Sequence, residues 1–171
     1  MRSPHDRQIA ALAVPALGSL VAEPLYVLAD TAIVGNLGTD QLAGLALAST
    51  LLLFLHAVMV FLTYGTTGPV ARLIGAGRHG DAARRSVQGI WLAALIGIAA
   101  AALLALVGAP VLGAFGAEGD VARFAERYLF VSLPGLPFLF VAMAANGSFH
   151  GRQNTTTPLG LAVTGAIANL V

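Results

Sequence analysis

The sequence of 171 residues contains no cysteine. Disulfides, thiolate zinc sites and cysteine nucleophiles are excluded with it. Lysine is absent as well, so all nine basic residues are arginine. Charge is scarce: Asp, Glu, Lys and Arg together make up 10% of the chain, against about 25% in a typical globular domain. So few charges do not coat a compact water-soluble fold. The net charge is +1, which leaves no surplus for a polyanion and argues against a nucleic-acid-binding surface. Catalytic signatures are missing too. No HExxH, GxSxG, P-loop or GxGxxG stands in a fitting context, which argues against an enzyme. Gly75-Ala76-Gly77 follows a helical stretch rather than a strand and reads as a turn. What remains is apolar, at 57% hydrophobic residues, and the solvent that suits such a chain is lipid.

A membrane helix needs about 20 mainly apolar residues. Five stretches answer to that in whole or part: roughly 9–34, 42–73, 87–112, 121–149, and one from about 157. The first follows Arg2 and Arg7 but continues through Glu23 and Asp30 to Val34. That is too long for a signal-peptide core, and a retained span is expected. The fifth has 15 residues before Val171, too few to cross at about 1.5 Å per residue, so a fragment is expected. The connections at 36–40, 75–81, 113–120 and 151–154 are short and rich in Gly, Asn and Asp. Short links make sequential helices antiparallel neighbours. The expected fold is all-α: a polytopic membrane helix bundle without an interdomain linker.

Orientation follows from arginine placement. With the N-terminus inside, the inner segments hold Arg2, Arg7, Arg72, Arg78, Arg84, Arg85 and Arg152, and the outer ones only Arg123 and Arg127. A cytoplasmic N-terminus is expected. Pro15, Pro24, Pro69, Pro134 and Pro137 interrupt apolar stretches and predict bends. Threonines near Pro69 are candidates to satisfy the backbone it frees.

Among polar residues, Asp30 is the sharpest signal. It lies deep in the first stretch, where an ionisable group costs about 2.5–3.5 kcal/mol on insertion scales. A carboxylate so placed can take up and release a proton or bind Na⁺. A carboxylate hydrogen-bonded to Ser or Thr for packing alone is the competing reading. Glu23 lies seven residues earlier, on the same helix face, and either lines a polar path or simply faces a wet cavity. Tyr26, four residues before Asp30, is a hydrogen-bond neighbour for it. His56 either relays protons or bonds across helices. Gln88 and Asn146 read as interhelical glue. Asn169 could offer an amide oxygen to a cation.

Three segments carry a family resemblance. The first stretch reads Leu12-Ala-Val-Pro-Ala-Leu-Gly, then Ala22-Glu-Pro-Leu25, then Leu28-Ala-Asp-Thr-Ala-Ile-Val-Gly35. The second closes with Gly65-Thr-Thr-Gly-Pro-Val-Ala-Arg-Leu-Ile-Gly-Ala-Gly77, and the last connection reads Gly151-Arg-Gln-Asn-Thr-Thr-Thr-Pro-Leu159. In this order they resemble the multidrug and toxic compound extrusion (MATE) family, in its DinF-like bacterial branch. The resemblance implies a twelve-helix transporter of two lobes that exports amphipathic or cationic drugs in exchange for H⁺ or Na⁺. This chain would supply the first four helices and most of the fifth, in the bacterial cytoplasmic membrane, with the C-terminal half of the transporter as its missing partner.

The resemblance further implies a cation or proton site at Asp30 and Asn169, with Glu23 and Tyr26 as polar cavity residues, no catalytic group and no cofactor beyond the coupling ion. A helix-five acid would follow beyond Val171. The chain departs from the family pattern at Asn36, where His is common. His150 stands for the usual Arg, Asn154 for the usual acid, and Thr156 for the usual Arg. Two rival functions share the composition: a lipid-precursor flippase of the same fold, and a non-transporting membrane scaffold or fragment. The absence of an arginine within the spans leans against the flippase.

Overall fold

The computed structural model describes residues 13, 14, 17, 21, 24, 25, 28, 31–33, 35, 36 and 38–170, with side chains to 165. The described residues are almost all helical, and none of them forms a strand. In chain order the helices are α1 Thr39–Met59 and α2 Phe61–Gly75, then α3 His79–Ala114, then α4 Gly119–Ser132, a 3-10 turn Leu133–Gly135 and α5 Leu136–Gly151, and finally α6 Thr156–Leu170. Three continuous stretches are long and apolar enough to cross a membrane: Thr39–Gly75, His79–Ala114 and Gly119–Gly151. At 36 residues, α3 is about 54 Å long, well beyond the roughly 30 Å of a hydrocarbon core. Its first turns, with Arg84 and Arg85, are thus not needed to cross such a core.

Each of the three stretches packs on the other two. The second and fourth are joined through the third, so they run parallel. Contacts rise together along both: Gly44 meets Phe124 and Ala125, Thr63 meets Met143 and Gly147, and Thr67 meets Gly151. Between the first two of these contacts the second stretch uses 19 residues and the fourth 23 (63 − 44 and 147 − 124). The fourth takes up its surplus by bending at Leu133–Gly135, where Pro134 sits. The bend presses Pro137 onto α3 at Gly97, where a Cβ would lie 2.5 Å from the proline Cα. The second stretch breaks at Val60 instead, with no proline to cause it. There the Val60 amide reaches back three residues to the Ala57 carbonyl, at 3.4 Å. Pro69 and Pro110 are accommodated inside α2 and α3.

The core lies where the three stretches meet. Phe140, Leu112, Leu129 and Val70 are its largest fully buried side chains. Leu62, Ala93, Leu136 and Met143 extend it along the axis. Outward the bundle is apolar: Trp91, Leu95, Ile98 and Leu106 of α3 are exposed.

Helices α2, α3 and α5 end in one and the same way. After α2, Gly77 is left-handed at φ 71°, its amide meets the Ile74 carbonyl, and the Arg78 amide reaches Leu73 at 2.9 Å. Gly116, left-handed at φ 88°, closes α3: its amide meets the Gly113 carbonyl and the Ala117 amide reaches Leu112 at 3.1 Å. This doubled closure satisfies carbonyls the helix itself leaves open. After α5 the left-handed position is held by Gln153, at φ 56°, with the Asn154 amide on Phe149 at 2.9 Å.

Candidate functional site

Of the residues singled out from the sequence, Asp30, Glu23 and Tyr26 lie outside the described residues. Asn169 falls on the α6 backbone, its side chain likewise outside the description. His56 is half-buried in the last turn of α1, Asn146 is half-buried in α5, and Gln88 is exposed on α3. The described structure does not bring these three together through a hydrogen bond.

What the structure does assemble is a polar seam between α2 and α5, built from the Gly-Thr-rich segment at 63–70. The Thr63 hydroxyl donates across the interface to the Met143 carbonyl at 3.1 Å. The hydroxyls of Thr66 and Thr67 donate to Leu62 and Thr63 of their own helix. These three bonds leave the Gly65 carbonyl, the one freed by Pro69, without a threonine donor, contrary to the expectation from the sequence. Threonines four residues apart present one face, and Gly147 and Gly151 have the matching spacing opposite. A Cβ at Gly147 would collide with the Thr63 carbonyl, and one at Gly151 would lie 2.8 Å from the Thr67 carbonyl. Small residues here let two backbones touch, which is how helices associate where no water drives them together. The sequence alone draws attention to the threonines near Pro69 but not to the glycines opposite them on α5. The signal was present in the paired four-residue spacings.

At the end of this seam the side chains turn charged. Arg152 follows α5 and its guanidinium stands 3.5 Å from the Ser86 hydroxyl. Ser86 is buried and itself donates to Ala82 at 2.9 Å. Arg78 pairs with Asp81 at 2.8 Å. Beyond Arg152, Asn154 opens α6: its side-chain oxygen accepts from the Thr157 amide at 3.1 Å and from the Thr156 hydroxyl at 3.0 Å. A neutral amide is a good helix cap, so the Asn at this departure from the family pattern keeps a structural task.

The opposite end holds Asp40, Glu118, Asp120 and Glu126 with Arg123 and Arg127. Arg123 pairs with Asp120 at 3.2 Å and lies over the Phe124 ring at 5.3 Å. The bundle thus has one basic and one acidic end, joined by apolar helices. That is the arrangement of a polytopic membrane protein.

Comparison with known proteins bears on the same residues. The family model MatE matches residues 15–171. DNA damage-inducible protein F of Escherichia coli is 33% identical over 97% of this chain and 36% of its own length. A probable multidrug resistance protein NorM of Thermotoga maritima is 27% identical over 90% of this chain and 33% of its own. Among solved structures, a MOP superfamily transporter from Pyrococcus furiosus superposes with a TM-score of 0.85 at 25% identity. It covers 92% of this chain and 35% of that one. The chain spans about a third of the length of the curated relatives it matches.

Proposed function

The chain belongs to the MatE family, and on that footing we propose that it is the N-terminal part of a secondary active transporter. The transporter exports drugs or other xenobiotics from the bacterial cytoplasm in exchange for H⁺ or Na⁺. The observation that carries this reading is the family match over nearly the whole chain. The all-helical apolar bundle agrees with it. In this reading Asp30 and Asn169 are the coupling residues, and Glu23 and Tyr26 are polar residues of the cavity. The basic end faces the cytoplasm, with the N-terminus on that side. The coupling ion is a transported species, so the protein needs no resident cofactor for this work.

Two features of the described residues support export of small molecules over a role in moving lipid precursors. No arginine interrupts the apolar middle of a span, so an anionic lipid headgroup would find no guanidinium there. The polar groups that do occur there include the threonines of α2, Asn146 and His56, and none of them is a guanidinium or a carboxylate.

Coupling requires that the ion bind the two access states with different affinity. The decisive variant is Asp30→Asn in the complete protein, reconstituted in proteoliposomes. Fluorescent-drug uptake would be driven by an imposed pH or Na⁺ gradient. Loss of gradient-driven uptake with drug binding retained is the expected result. Wild-type uptake in the variant would remove Asp30 from the coupling site. Accumulation of lipid-linked precursor rather than drug in a deletion strain would replace the drug reading altogether.

A further inference from the structure

The second and fourth stretches are each divided once, and their halves pair in order. α1 packs chiefly on α4, and α2 packs on α5. α3 runs undivided past both pairs for 36 residues. The two pairs are held to α3 in different ways. α5 meets α3 backbone to backbone: a Cβ at Gly97 would lie 2.5 Å from the Pro137 Cα and 3.0 Å from its nitrogen. α5 is tied to α2 in the same manner at Gly147 and Gly151, and α2 packs on α3 as well. α4 approaches α3 at Gly108 instead. There an added Cβ would meet the end of a side chain, Leu129 Cδ2 at 2.6 Å, and no backbone of another helix within 4 Å among the described residues. A leucine turns between rotamers where backbone does not. Within the acidic-end pair the contact is again backbone: a Cβ at Gly44 would lie 2.9 Å from the Ala125 nitrogen. The pair α1–α4 is thus firm in itself and loosely seated on α3.

The joints between the two pairs are places of weakened hydrogen bonding. At Val60 the amide reaches the Ala57 carbonyl at 3.4 Å, and the Tyr64 amide reaches the Val60 carbonyl at 3.5 Å. Both bonds are longer than the usual range. At the other joint Pro134 and Pro137 have no amide to give, so the Phe130 and Leu133 carbonyls lose their regular donors. The Leu136 amide turns to Leu133 in place of one of them. Hinges in proteins are a few residues at the ends of elements, where a change of φ and ψ is absorbed. Both joints are of that kind, and they lie on two separate stretches. Two hinge points define one axis.

We infer that α1 and α4 form one rigid arm that swings on α3, hinged at Val60 and at Leu133–Gly135, with Leu129 as the sliding contact. α2, α3 and α5 are the body against which it moves. The swing widens or narrows the acidic end of the bundle while the basic end keeps its shape. The proposal rests on how the helices pack and not on what the protein moves, so either it or the transport reading can fail without the other.

The test measures distances between pairs of nitroxide labels by pulsed electron resonance. It uses the complete protein in lipid nanodiscs, with any cysteine outside this chain first replaced. Leu106→Cys with Arg123→Cys, and Leu106→Cys with Asp40→Cys, read across the seam between arm and body. Asp40→Cys with Arg123→Cys reads within the arm, and Leu95→Cys with Phe138→Cys within the body. All five positions are exposed. The two distances across the seam are expected to be distributed more widely than the two within a unit. Pro134→Ala returns a donor to the Phe130 carbonyl and should narrow the distances across the seam toward the width found within a unit. Should Pro134→Ala fail to insert, the widths in the otherwise unaltered protein decide. Distances across the seam as narrow as those within a unit would overturn the proposal. So would a wide distribution within the arm, or a seam that Pro134→Ala leaves as wide as before.

Discussion

Gly147 and Gly97 are where single atoms decide the packing. Each faces backbone, the Thr63 carbonyl in one case and Pro137 in the other, and backbone does not swing aside as a flexible side chain does. Gly147→Ala and Gly97→Ala are each expected to cost about 1–3 kcal/mol, the range for overpacking a filled interior. Gly113 has nothing within 4 Å of an added Cβ. Gly113→Ala should therefore be neutral or stabilising by up to about 1 kcal/mol, since Ala is the better helix former. Unfolding in mixed micelles with rising dodecyl sulfate fraction measures all three. Equal costs at the three positions would deny the close approach. Thr63→Val removes the interhelical bond to Met143 and should cost about 0.6 kcal/mol, a typical value for such bonds in membranes.

The helices carry a second kind of information, in how they end. Gln153 occupies the left-handed position that Gly77 and Gly116 hold elsewhere. A side chain there costs about 1–2 kcal/mol, part of which the greater freedom of unfolded glycine would give back. Gln153→Gly should thus stabilise by up to about 1 kcal/mol, whereas Gly77→Val should destabilise by more than 1 kcal/mol, in the same micelle assay. A destabilising Gln153→Gly would mean that the glutamine side chain is needed at the α5 end. The breaks within helices were unevenly readable from the sequence. Pro134 announces the 3-10 turn, because proline removes a donor and clashes with the preceding turn. Val60 announces nothing: its break follows from tertiary packing, to which local propensity is blind.

At the scale of the molecule, hydropathy alone made the fold class legible, because a chain with so few charges has one solvent open to it. The pairing of helices was less legible. Short loops identify antiparallel neighbours, but the parallel contact of the second and fourth stretches joins residues far apart in the chain. Only the matched spacing of Thr63 with Thr67 and Gly147 with Gly151 hinted at it. Asp30 and Glu23 stand out in the sequence for a different reason, the cost of a carboxylate in lipid; both lie outside the described residues, and the coupling role of Asp30 is a proposal. The charge asymmetry makes a prediction of its own. This chain has no cysteine, so cysteines introduced singly report without background from it. In intact cells a membrane-impermeant maleimide should label Glu118→Cys but not Gln153→Cys until the membrane is opened. The reverse pattern would invert the orientation.

The seam between α2 and α5 also has a history in time. Thr63 and Met143 are 80 residues apart, and at about 5–20 residues per second that interval takes about 4–16 s to synthesise. Through those seconds α2 sits in the bilayer before α5 exists. Thr66 and Thr67 are already satisfied by their own helix, so neither hydroxyl is left bare while the chain emerges. Thr63 alone bonds a carbonyl of the late-arriving helix. Most of the polar content of this surface is thus stored harmlessly until the second half of the bundle is made, and the glycine face of α5 closes it last.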